Sequence, residues 1–171
     1  MITAEYCRMM ARYNLWQNGS LRSGVAGLGS EAVRAGRGAF FGSIFGTANH
    51  LLWADAIWMS RFTDCAAPTC GIKGSVEYTP DRAAWDTARA AQDDAICVWA
   101  DGLDDTALAG ELSWFSGALG THITKPLALC VAHFFNHQTH HRGQLHAMLT
   151  QAGWSPDDTD LFIMPTQDQE S

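Results

Sequence analysis

A chain of 171 residues with 47% hydrophobic and 17% charged residues can bury a continuous core, and it is too apolar for a disordered chain or a coiled-coil rod. A net charge of −7, with Lys73 and Lys125 the two lysines among eleven basic residues, leaves no basic patch to track phosphates or an anionic membrane. Neither a nucleic-acid nor a membrane partner is expected, because no apolar run approaches the ~18 residues of a membrane span.

The length fits a single domain over residues 1–171. The opening Met1 to Met10 has no charged leader ahead of an apolar segment, so no signal peptide is expected. Tyr6, Met9, Met10, Tyr13 and Trp16 follow the i, i+3, i+4 rhythm of a helix with one buried stripe. The glycine-rich stretch from Gly19 to Gly38 is expected to end it. A second helix, from about Phe40 to Phe62, is apolar over most of its circumference and must be largely buried. Cys65 to Tyr78, with Pro68, Gly71 and Gly74, reads as a loop. Thr79-Pro80-Asp81 reads as a helix start, with Thr79 as cap. Trp85, Ala88, Gln92, Ala95, Ile96 and Trp99 continue that third helix.

Between Thr106 and Thr124, Gly117 and Gly120 separate two short β-forming segments that suit a small hairpin. The fourth helix is the clearest. Thr124 is its candidate cap, Leu127, Val131, Phe134, Gln138, Leu145 and Leu149 carry its period, and Gly153 ends it. At ~26 residues it would be roughly 39 Å long. The expected fold is all-α: a four-helix bundle with one long crossover connection and a small hairpin before the last helix. Five cysteines without Cys-x-x-Cys spacing read as reduced thiols of a cytoplasmic protein.

The chemistry points at histidine. Five of the seven lie between His133 and His146. On a helix, residues four apart differ by about 40° in direction and ~6 Å in height, so His133, His137 and His141 form a ladder. Two imidazoles at that offset can share one divalent ion, with bonds near ~2.1 Å. His140 points about 100° from His141 and cannot share its face. A further ligand must come from another helix, and His50 is the one histidine before residue 122, set in the most apolar helix pattern. A lone histidine there is a poor core choice, and a ligand role explains it. His122 and His146 read as ordinary core residues, and so does Cys130. A purely structural histidine cluster is the alternative, but burying several imidazoles is costly unless each finds a partner.

Asn49-His50-Leu51-Leu52-Trp53-Ala54-Asp55 together with Asn136-His137-x-x-x-His141-Arg142-Gly143-Gln144 resembles the DinB/YfiT-like superfamily of metalloenzymes, over nearly the whole chain. The resemblance implies a four-helix bundle with a long connection. It also implies a divalent ion, often zinc or nickel, held by His50, His137 and His141, with His133 outside the usual ligand set. Homodimers are common in such proteins.

Three protein ligands leave a position open for chemistry. His137 and His141 have zinc-protease spacing, but Gln138 stands where that pattern has a glutamate, and an amide cannot take a proton from water. No Glu-x-x-His occurs, which argues against a di-iron bundle. Relatives similar to thiol transferases or thiol-dependent isomerases suggest turnover of a small molecule with a low-molecular-weight thiol. Metal-dependent hydrolysis and a non-catalytic metal-binding stress response are the alternatives. Asp55, Asn136 and Arg142 are candidates for groups beside the ligands. Asp55 reads equally well as a carboxylate paired with arginine, and Arg142 and Asn136 as braces of helix packing.

Overall fold

The computed structural model describes residues 2–117 and 119–166. It is mostly helical, with one small antiparallel sheet. Four long helices carry the core: α1 (Ala4–Gly27), α3 (Ile44–Phe62), α4 (Arg82–Asp101) and α6 (Leu127–Gln151). Two short ones, α2 (Ser30–Arg34) and α5 (Asp105–Leu108), sit in the connections, as do 3-10 turns at Ile72–Glu77 and Leu161–Ile163. Helix α1 packs on α4 and α6, and α3 packs on the same two.

The buried residues fall into two apolar clusters with a polar layer between them. One holds Cys7, Met10, Met59, Ile96, Phe134 and Phe135. The other holds Leu21, Val25, Leu51, Leu52, Trp85 and Leu149. Helices α1 and α6 therefore run from the first cluster to the second, and α3 and α4 run the opposite way. Successive helices α3 and α4 pointing the same way require a connection along the length of the molecule. Residues 63–81 make that crossing.

The polar layer is built from all four helices. Arg89 of α4 reaches Asp55 of α3 at 2.7 Å and Asp93 of its own helix at 2.8 Å. Asn18 of α1 donates to Asp93 at 2.7 Å, and Asn14 donates to Gln138 of α6. Burial pushes the Asp55 and Asp93 carboxyls upward, against the pull of Arg89.

Several expectations from the sequence need correction. Helix α1 ends inside the glycine-rich stretch, as expected, but not at its first glycine, Gly19. It continues to Gly27, because Leu21 and Val25 bury in the second cluster, and that packing outweighs the glycine propensity. The second long helix starts at Ile44, with Ser43 as its cap, rather than near Phe40. Asp81, not Thr79, caps α4 by accepting from the Ala84 amide. Thr79 is held elsewhere: its amide and hydroxyl both donate to Asn49 Oδ1. The segment from Cys65 to Tyr78 contains the 3-10 turn, pinned by the Trp53 indole donating to the Cys70 carbonyl at 2.9 Å.

The hairpin pairs β1 (Glu111–Ser116) with β2 (Thr121–Pro126), so Thr124 belongs to a strand and does not cap α6. Thr106 to Leu108, expected to be part of it, lie in helix α5 instead. Trp114 faces inward onto Trp58, and Arg61 lies over both rings. No helix among the described residues is long and apolar enough to cross a membrane.

Gly27 marks a close approach. A Cβ there would lie 2.1 Å from Cζ3 and 2.5 Å from Cη2 of Trp154, so the indole that seats the segment after α6 would have to move. Gly27→Ala should lower stability by about 1–3 kcal/mol, the usual cost of overpacking, although alanine is the better helix former. A urea midpoint equal to or above the parent value would show that the indole shifts freely.

Candidate metal centre

His50 lies at the middle of α3, and His137 and His141 lie one turn apart on α6, the helix packed against it. One ligand atom from each of the three falls within 4.8 Å of the others, the one such histidine group among the described residues. The Nε2 atoms of His137 and His141 are 3.1 Å apart. Two imidazole nitrogens aimed at each other need a shared proton or a cation between them. Tetrahedral zinc sets its nitrogen ligands roughly 3.4 Å apart, from bonds of about 2.1 Å, so small side-chain shifts would seat an ion.

Two of the three rings are oriented by a partner on the far side. His50 Nδ1 lies 2.9 Å from Ser75 Oγ, and His141 Nδ1 lies 2.9 Å from Gln144 Oε1. A ring whose Nδ1–H donates outward keeps its lone pair on Nε2, facing the site. Ser75 comes from the crossover, which Asn49 and Trp53 tie to α3. Sequence reasoning missed Ser75, because no local pattern links it to a histidine twenty-five residues earlier. Gln144 carried a signal: it stands three residues after His141, on a neighbouring helical position.

Burial is the main force on these rings. It lowers His50 to about 4 with help from the His141 charge, and His137 to about 3 with further repulsion from His141 and His50. His141 is also lowered by burial, partly offset by Gln144. The rings are thus neutral at physiological pH, the form that binds a metal. The donor set and its outward hydrogen bonds fit a divalent ion.

The remaining candidates bring no ligand atom to this triad. His133 is exposed and packs on Trp58 with ring centroids 5.1 Å apart. His140 is exposed and meets Gln144. Asn136 is exposed. Asp55 pairs through Oδ2 with Arg89 in the polar layer, as a buried pair and not as a surface one. Arg142 turns to α1, where its guanidinium lies 5.3 Å from the Tyr13 ring centroid. His122 is exposed on the hairpin and His146 is half-buried, so neither is a core residue. Cys130 is buried, as read from the sequence.

Phe41 stacks on His50 with centroids 3.6 Å apart and lies 5.5 Å from His141, and Trp53 lies 5.8 Å from His50. An aromatic wall therefore borders the three nitrogens. If Ser75 and Gln144 orient the ligands, Ser75→Ala and Gln144→Ala should each weaken metal affinity by about 10–100-fold. Competition with a chelator of known affinity measures this, and unchanged affinity in both would remove them from the site.

A helical protein with a small hairpin and three converging imidazoles, two buried and one half-buried, is a candidate metal-binding protein. The DinB family model matches residues 1–170, and the chain belongs to the DinB family. Among solved structures, it is similar to a DinB-like protein from Bacillus cereus ATCC 10987, with 20% identity over 84% of this chain and 90% of that one, at a TM-score of 0.48. No curated protein matches the chain.

Proposed function

We propose that this chain is a single-domain, cytoplasmic metalloenzyme, a four-helix bundle with a long crossover, that acts on a small molecule with a low-molecular-weight thiol. It would work as a thiol S-transferase or thiol-dependent isomerase, as a homodimer. His50, His137 and His141 would hold one zinc or nickel ion. The observation that carries this reading is the convergence of three neutral imidazole nitrogens beside an aromatic wall. When bound, the ion supplies a positive charge that lowers the pKa of a thiol or of water.

The protein's own groups favour the thiol. Among the described residues no carboxylate joins the three histidines, and Gln138, which accepts from Asn14 in the polar layer, cannot act as a base. Hydrolysis is ordinarily assisted by a base that takes a proton from the attacking water. A thiol, with an ordinary pKa of about 8.5, ionises more readily and would need no such group. Phe41 and Trp53 would shield the site from bulk water and present an apolar face to an electrophile.

The test is turnover of metal-loaded protein with glutathione or cysteine and 1-chloro-2,4-dinitrobenzene. Thiol-dependent arylation that disappears in His50→Ala supports the transferase. Metal-dependent cleavage of p-nitrophenyl acetate without thiol would replace it with a hydrolase, and no turnover in either assay would leave a metal-binding protein.

A further inference from the structure

We propose that the chain has a second small-molecule site, a carboxylate-binding pocket between α1, the C-terminal half of α6 and residues 156–159, with Arg142 as its anion-recognising group. A cavity of about 350 Å³ lies there, within the size range of roughly 300–1,000 Å³ usual for ligand pockets. Its α6 wall comes from Thr139, Arg142, Gly143 and His146. These positions are turned roughly 100–200° around the helix from His141, so the pocket opens on the other flank of α6 from the histidine triad.

Arg142 is the observation that asks for a ligand. It is 8% exposed, and its Nη1 has no hydrogen-bond partner. Its Nη2 reaches only Thr139 Oγ1, at a long 3.4 Å. No carboxylate among the described residues comes within ion-pair distance of it, since Asp55 and Asp93 are both taken by Arg89. A buried guanidinium with an unpaired donor is costly, and a carboxylate that reached it after a small shift of the side chain would relieve the cost. Tyr13 covers the guanidinium face, so a ligand would have to pair with the donors at its edge.

The walls are fixed independently of any ligand. The Tyr13 hydroxyl donates to the Thr159 carbonyl at 2.6 Å, Gln17 Nε2 donates to the Asp158 carbonyl at 2.9 Å, and the Asp157 amide donates to Ser20 Oγ at 3.1 Å. Leu21, Leu149 and Pro156 supply apolar lining. A single cation with one unpaired donor, in an apolar pocket with Asp157 in its wall, suits a monoanion with a compact apolar body. The planar fork of arginine matches a carboxylate. A phosphate dianion would meet Asp157 with only Arg142 to offset it.

The experiment is calorimetric titration of the full chain with benzoate, beside benzamide and inorganic phosphate. Benzoate should bind saturably, one per chain, and more tightly than either comparison. Arg142→Gln should weaken it by about tenfold or more, the value of a hydrogen bond to a charged group. Gly143→Leu keeps Arg142 and fills the pocket. A Cβ at Gly143 meets nothing within 4 Å, so this variant should fold and yet lose benzoate by a similar factor. It decides the matter if Arg142→Gln does not fold. His137→Ala should bind benzoate as the parent does. Absence of benzoate binding, equal binding of benzamide or phosphate, undiminished binding in Gly143→Leu, or loss in His137→Ala would each overturn the proposal. The last of these would place the carboxylate on the metal centre instead.

Discussion

Replacing any one of His50, His137 and His141 by alanine should lower affinity for zinc or nickel by more than about 100-fold, since even the groups that merely orient such ligands are worth 10–100-fold. The parent protein, purified without a polyhistidine tag, should take up about one ion per chain through imidazole nitrogen. His140→Ala and His146→Ala should stay near the parent value, because His140 is exposed and His146 faces another cavity. Equal losses in all five variants, read by chelator competition, would mean that binding is diffuse and not centred on the triad.

The same rings set a pH dependence in the metal-free protein. In the unfolded chain a histidine titrates near 6.5, while in the fold His50 is lowered to about 4 and His137 to about 3. A depressed folded value means that the unfolded state takes up protons first. The contribution of these rings is fully present above pH 6.5 and is lost as pH falls toward 4 and then 3. Urea midpoints measured across that window should fall with acidification in the parent and fall less steeply in His137→Ala. Parallel curves would show that the rings are protonated without cost.

The second large effect is on stability. Arg89→Met should cost about 3–5 kcal/mol, the usual penalty for breaking a buried ion pair by removing one partner. Arg89 is fully buried, and its loss would strand the Asp55 and Asp93 carboxylates, each 1–2% exposed. Against a total of about 5–15 kcal/mol, that leaves a marginal protein. With a urea slope of about 1–3 kcal/mol/M, the midpoint should drop by 1 M or more. The sign with pH is specific. Stranded carboxyls titrate above their unfolded values, so the fold binds the extra protons and the variant should regain stability as pH falls from 7 toward 4. A midpoint within about 0.3 M of the parent would mean that water or another cation takes over from Arg89.

Much of this was legible in the residues themselves wherever the signal is local. The period of Leu127 to Leu149 gives α6 almost to the residue, because a continuous apolar stripe has one solution on a helix. The spacing of His137 and His141 puts two ligand nitrogens on one face by helix geometry alone, and Gly117 and Gly120 mark the hairpin turn region. His50 was legible as the odd polar residue in the most apolar helix.

Tertiary structure decided what depends on residues far apart in the chain. Thr79 and Asp81 are both good caps, and the choice fell to Asp81 because Asn49, thirty residues earlier, engages Thr79. Helix α1 runs through Gly19 and Gly24 because packing of Leu21 and Val25 outweighs a propensity loss of about 1 kcal/mol per glycine. Ser75 meets His50 only because the α3–α4 crossover passes it. Asp55 and Arg142 stand close in sequence to ligand histidines, yet the helix turn carries one into the polar layer and the other to α1. Adjacency along a helix separates side chains by about 100°, so only the packing of four helices determined which of these polar groups face the triad.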